Sequence, residues 1–456
     1  MNTFLKSASL AVILASSGAP LFASAATAAD PVDGRWNASL TTQTGNVIPF
    51  RLDISGSGTT LKGTLYNGFD PYEKTTSATF ENGKLVLNIE HYLTTITATV
   101  KDGQLSGNVV TQNRGASAEY RFQAARYVKP AVAAANIPAI AGSWEIPLET
   151  PSSKGEKAFR FIVEQKGPEV AASILRVDGD TGAYSGTYQD GKWLLSHFDG
   201  SRPGVIVVTP AKDGTLAIQQ NPERVEQTAT RAAGGKAYDD SIADGRYAPA
   251  LVAYRSEVAR AKGFPEPANY ETHTTVRDPN EVFAFNFPDV DGKPVSNEDP
   301  RFKGKVVLAI VTGTWCPNCH DEAQYLVQLD RKYRDKGLAI VALDFEEPEQ
   351  QGSLERERAF VKQYGVKYTY LIAGAPAEMW EKVPQAVNLN TWPATIFVGR
   401  DGRVKGIHSG FASPASGEFN RQLKKEFTAK IETLLAEKAA SDRSASTAAA
   451  AKLGPG

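Results

Sequence analysis

The stretch "GKVVLAIVTGTWCPNCHDEAQYLVQLDRKYRDKG", residues 304–337, constrains this chain most. A near-continuous apolar run runs into a C-x-x-C motif and then into helical periodicity that stops at a glycine. Apolar residues on both faces of a strand suit the centre of a parallel sheet. Ala323, Leu326, Val327 and Tyr333 recur at helical spacing and should face that sheet. The two cysteines, Cys316 and Cys319, are the only ones in the chain and sit at the strand-to-helix junction. Pro317 suits the first helical turn, where no amide proton is needed. The free amides and dipole of a helix start stabilise a thiolate, so Cys316 is expected to be the attacking thiol. Cys319 lies three residues on, within the helix, and can reach back to resolve a mixed disulfide.

The rest of this third continues in the same style. "LAIVALDF", "YTYLIAG" and "WPATIFVGRDGRVKGIHSGF" read as strands, the last with an Asp-Gly turn; "LERERAFVKQYGV" and "GEFNRQLKKEFTAKIETLLAEK" read as helices. Alternating strands and helices ending in a hairpin make an α/β sheet.

Taken together, "GKVVLAIVTGTWCPNC", the glutamate of "CHDEA" and "TWPATIFVGRDGRV" resemble the thioredoxin-fold TlpA/ResA-like thiol–disulfide oxidoreductases. The resemblance covers about a third of the chain. It implies a redox-active Cys316–Cys319 pair with no other cofactor, and a cis-proline at Trp392-Pro393. The backbone before such a proline would offer its amide and carbonyl to a substrate strand. It also implies an acidic residue acting on the protonation of the dithiol, which maps to Glu322. A partly buried carboxylate there would raise the thiol pKa and shuttle protons; a solvated first-turn glutamate is the alternative. Glu346 and Glu347 fall in a loop where the family often carries an acid, and a solvated loop reads better. Trp315 is expected to shield the site. Pro317, Asn318 and His320 could modulate it, although an exposed helical His320 is the plainer reading.

His320 also completes C-x-x-C-H, a haem-attachment pattern. The motif, however, ends a buried strand in an α/β pattern, and Met379 is the only internal methionine. A Cys₂His metal site lacks a convincing further ligand. No metal is expected.

Residues 30–128 are different. Short β-branched runs alternate with "NG" and "DG" turns, the signature of hairpins. The pattern then returns. "VDGRWNASLTT" is echoed by "IAGSWEIPLET", "TFENGKLVLNIEH" by "TYQDGKWLLSHFD", and "ATVKDGQLSGNV" by "VTPAKDGTLAIQ". The spacing is about 110 residues. We read two tandem copies of one all-β module, at 30–128 and 138–233, joined by an Ala/Pro-rich stretch. Each is long enough for a small sandwich or open barrel. Trp36 and Trp144 occupy equivalent places and read as core plugs. Residues 236–275 read as a helical connector, 276–437 as the thioredoxin-like domain, and 438–456 as a flexible tail.

Residues 1–29 read as an export signal: Lys6, then "SASLAVILASSGAPLF" broken by Gly18 and Pro20, then small-residue cleavage sites near Ala25 or Ala29. An exported chain of this size with two cysteines uses them for chemistry rather than as staples. The mature protein is expected in a periplasm-like space, soluble after signal removal. With a net charge of −1 and no Lys/Arg stripe, nucleic acid is not an expected partner. The family points to disulfide-bearing exported proteins, apocytochrome c among them, and to a membrane thiol protein as electron donor. A peroxiredoxin-like peroxidase is a rival, but the Pro and Thr spacing before Cys316 does not fit. A binding protein whose β copies do the main work, with a redox switch attached, is the third reading.

Overall fold

A computed structural model describes residues 31–43, 45–113, 116–128, 136–220 and 250–437. The expected signal segment, the tail 438–456 and most of the Ala/Pro joint lie outside the described residues.

The N-terminal region is built of β-strands, in two sheets. The first has nine strands. Strand Gly34–Thr41 pairs with Val47–Ser55 on one side and with Ala116–Arg126 on the other. The sheet ends in Asp70–Lys74 and Ser77–Glu81 and stays open there. The second is a closed barrel of eight antiparallel strands. Its last strand, Leu251–Arg255, pairs with its first, Gly142–Pro147. Of the expected helical connector at 236–275, residues 236–249 lie outside the described residues; within the described part Leu251–Arg255 is a barrel strand, and the helix is confined to Ser256–Ala261. The two sheets are therefore not two like modules of the same closed form. They do share hairpin chemistry. Asn82-Gly83, Asp102-Gly103 and Asp190-Gly191 all have positive φ at both residues, as tight two-residue turns require.

They also share a closure. The Trp36 indole donates to Val32 O at 2.8 Å, and the Arg126 guanidinium lies 4.0 Å over its ring. In the barrel the Trp144 indole donates to Ile140 O at 2.9 Å, with Arg255 at 4.1 Å over the ring. Both tryptophans are buried, as core plugs.

The C-terminal domain has a five-stranded sheet ordered Thr369–Gly374, Leu338–Phe345, Val306–Thr312, Ala394–Val398, Val404–Ser409. The first three strands are parallel; the fourth runs antiparallel to the third and the fifth antiparallel to the fourth. Every side chain of Val306–Thr312 is buried. Val306, Leu308 and Ile310 pack on the side of the helices Pro317–Tyr333 and Glu418–Ala436. Val307, Ala309 and Val311 pack on the opposite side, with Phe283, Phe285 and Met379. That two-sided burial is why the strand reads as an unbroken apolar run.

The β region is docked on the end of this domain that carries the cysteines. Tyr92 stacks on His320 at 4.2 Å. Tyr72 donates to the Asp321 carboxylate. The loop after Glu169–Leu175 meets the start of the cysteine helix: Asn318 Nδ2 donates to Asp178 O at 2.7 Å, and Thr181 N donates back to Asn318 Oδ1 at 2.9 Å. Asp180, buried, accepts from Ser413 N at 3.0 Å and from the Ser416 hydroxyl. Two glycines allow this approach. A Cβ on Gly179 would sit 2.3 Å from Phe411 O, and one on Gly410 would sit 2.2 Å from Val177 O.

Candidate functional site: a buried dithiol beside a two-domain cleft

Cys316 caps the helix Pro317–Tyr333, with extended backbone, and Pro317 occupies the first turn. Its carbonyl accepts from Cys319 N at 3.0 Å. The two cysteines approach to 2.9 Å with both thiols free. The Cys316 sulfur also lies 3.4 Å from Trp392 O. The peptide between Trp392 and Pro393 is cis. Trp315 and Trp392 meet edge to face at 5.1 Å, and the Trp315 indole donates to Phe345 O at 3.0 Å.

The two thiols are electrostatically unequal. Burial pushes the Cys316 thiol up, but a hydrogen bond from Cys319 and the Arg202 guanidinium outweigh it, and the thiol ends below its ordinary value. Burial and the adjacent Cys316 push Cys319 well above its ordinary value. One thiolate and one held proton is the arrangement a stepwise exchange needs.

Glu322, in the following turn, is only 1% exposed. Burial raises its carboxyl to about 8, against a hydrogen bond from the Thr395 hydroxyl, with Cys316 adding a further rise. The solvated alternative does not hold. The loop acids are also buried rather than solvated. Glu346 accepts from Thr314 N at 2.8 Å and pairs with Arg356 at 2.8 Å; Glu347 pairs with the same guanidinium at 3.0 Å. His320, expected on the surface, has no exposure. Its Nε2 lies 2.7 Å from Thr314 O and its Nδ1 2.9 Å from the Tyr364 hydroxyl. Nε2 must donate to the carbonyl, so Nδ1 accepts from the tyrosine. Burial and the nearby His91 hold the ring well below its ordinary pKa, hence neutral. It is a plug between domains. Asn318 is the domain latch described above.

Arg202, Lys154 and Asp178 were not expected near the cysteines, and they line the same cleft as Cys316, Trp315 and Trp392. The signal for them was the repeat itself, which marks a module but not where it docks. No group of three or more potential metal ligands occurs among the described residues.

A sequence profile of the family described as Redoxin matches residues 277–423. The thioredoxin-like protein YneN of Bacillus subtilis (strain 168) is 31% identical over 128 residues, 28% of this chain and 68% of that protein. The chain belongs to the redoxin family. Another relative within reach is the thiol-disulfide oxidoreductase ResA of Bacillus anthracis, 32% identical over 120 residues, 26% of this chain and 62% of that protein. The chain thus spans 62% of the length of that relative. Among solved structures, a putative thiol:disulfide interchange protein DsbE from Chlorobium tepidum is 20% identical, covering 34% of this chain and 99% of that one, with a TM-score of 0.28. The family profile matches only the C-terminal part of the chain, residues 277–423.

Proposed function

We infer that the protein is an exported thiol–disulfide oxidoreductase that reduces disulfides by dithiol exchange through Cys316 and Cys319, with no cofactor beyond that pair. One observation carries the reading: a low-pKa thiol at a helix start, beside a high-pKa partner and the Trp392 carbonyl, opening on a cleft. The Cys316 thiolate attacks one substrate sulfur and expels a thiolate. Cys319 then attacks the Cys316 sulfur and releases the second thiol. The enzyme becomes a disulfide and the substrate two thiols; the Cys319 proton passes to one departing thiolate and the other takes its proton from solvent.

Glu322 takes the role of proton carrier for Cys319, since a carboxyl titrating near 8 can hold or accept a proton at working pH. Trp315, Trp392 and Pro393 form the substrate ledge. Glu346 and Glu347 buttress it through Arg356, and Pro317 and Asn318 fix the helix start. Substrates are disulfide-bearing exported proteins, apocytochrome c among the candidates, and the electron donor is a membrane thiol protein. The relative ResA is by name a thiol-disulfide oxidoreductase. No helix among the described residues is long and apolar enough to cross a membrane. The matching Trp–Arg closures support reading the two β sheets as diverged copies of one module.

The test is transfer of two electrons from the reduced protein to a model disulfide. We expect stoichiometric oxidation, abolished in C316S. Turnover of peroxide in preference to disulfide would instead support the peroxidase alternative. Fractionation of cells expressing the full chain tests export: recovery in the cytoplasm would contradict it.

A further inference from the structure

Cys316 lines a cleft of about 550 Å³, and two domains wall it. One wall is the redoxin domain, with Trp315, Trp392 and Asn390. The other is the barrel, with Lys154, Thr181 and Arg202. The barrel wall is not a loosely tethered neighbour. Asn318, inside the C-x-x-C motif, exchanges two hydrogen bonds with the 178–181 loop, and Gly179 lies so close that a Cβ would stand 2.7 Å from the Asn318 side chain. Phe411 N donates to Asp178 O at 3.3 Å, next to the same contact. A broad, flat protein surface cannot press on Cys316 past this wall, because the residue is only 3% exposed. A narrow substrate can enter: the cleft has the size of ordinary small-ligand sites, roughly 300–1,000 Å³.

The charge beside Cys316 gives that substrate a sign. Among the other lining charges, Asp178 pairs with Lys154, Glu347 shares the Arg356 guanidinium with Glu346, and Glu349 is a further acid. Arg202 reaches across from the barrel to Trp315 O at 3.4 Å, one residue from the reacting cysteine. Its guanidinium also offsets the burial of the Cys316 thiolate. The five donors of a guanidinium match a carboxylate in a way a lysine ammonium does not.

We propose that the barrel forms half of the substrate site and that Arg202 makes it select narrow disulfides carrying a carboxylate beside the sulfurs. This rests on the dithiol function proposed above and names its substrate class. Arg202 is a specificity residue: it touches the carboxylate of the entering disulfide while Cys316 attacks the nearer sulfur. The enzyme dithiol is oxidised to a disulfide and the substrate disulfide is reduced to two thiols, with one proton from Cys319 and one from solvent passing to the departing thiolates. The carboxylate can belong to a small molecule or to an acidic peptide tip.

The test uses the reduced full chain in single-turnover oxidation, followed by tryptophan fluorescence. Three small disulfides of similar size serve as probes: dithiodipropionate (anionic), hydroxyethyl disulfide (neutral) and cystamine (cationic). A disulfide-bridged peptide with flanking glutamates, paired with the same peptide carrying glutamines, distinguishes the peptide source from the small-molecule source. We expect the anionic probe to react about fivefold faster than the neutral one, the worth of one partly exposed charge contact, and cystamine to be slowest. R202Q should flatten that order and R202K should keep part of it. Using ratios between probes removes any general change in thiolate reactivity. No charge order in the wild type, or the same order in R202Q, would overturn the proposal. A wild type that fails to reduce even the neutral probe would instead bring down the dithiol function itself.

Discussion

Replacing Glu322 with glutamine should change how stability depends on pH in a way no surface glutamate would. The native carboxyl is buried and titrates near 8, against an ordinary value of 4.5. Unfolding exposes it to water, so between those two values the native state holds a proton that the unfolded chain releases. Stability from this group is therefore full below pH 4.5 and is lost as pH rises through 8. Between pH 5 and pH 9 the loss amounts to at most about 4 kcal/mol. Glutamine has the shape of the protonated acid and can still accept from the Thr395 hydroxyl. E322Q should thus match the wild type near pH 5 and exceed it by a few kcal/mol, up to about 4, near pH 9. Urea unfolding of the reduced proteins at both pH values measures this. Only the change in the wild-type-to-variant difference counts, because Glu357 also titrates near 8 and is common to both proteins. A difference that stays constant from pH 5 to pH 9 would refute the buried-proton argument, and with it the role of Glu322 as proton carrier.

Three further outcomes are expected. C319S should attack a disulfide and stop at the mixed disulfide on Cys316, which mass spectrometry of the non-reduced protein detects as a stable adduct. Gly179→Val places a side chain against Phe411 O and Asn318 at a φ of +121°, so it should loosen the barrel from the redoxin domain and cost about 2–4 kcal/mol; a lower melting temperature would show it. Arg356→Met strands the buried carboxylates of Glu346 and Glu347, a loss of about 3–5 kcal/mol, read by thermal unfolding at pH 7.

Much of the C-terminal domain could be read in advance because its signals are local. Val306–Thr312 is buried on both faces, the later turns of the helix after Cys316 bury Leu326, Leu329 and Tyr333 at helical spacing, and the Asp401-Gly402 turn joins two adjacent strands. The hairpins of the β region were legible for the same reason. What failed was the long-range part. Leu251–Arg255 finds its partner over a hundred residues away, at Trp144 and Glu145, and its five residues run straight into a helix. A short strand followed by helical periodicity looks like the start of that helix. His320 and Asp321 are polar residues on what would be the outer surface of an isolated redoxin domain. They are buried because Tyr92 and Tyr72 of the β region cover or pair with them. Docking of one domain on another leaves little trace in periodicity, and a polar face that binds a polar face looks like one that meets water. For the same reason Arg202 and the 178–181 loop could not be placed beside Cys316 from sequence.

The most direct measurement is the reduction potential of the Cys316–Cys319 pair, by glutathione or dithiothreitol titration of the purified protein. A two-electron couple near or below about −270 mV fits a reductase fed by a thiol donor. A value near about −120 mV would mean a disulfide donor, and the direction of electron flow proposed above would be wrong. The absence of any two-electron couple would contradict the dithiol function altogether.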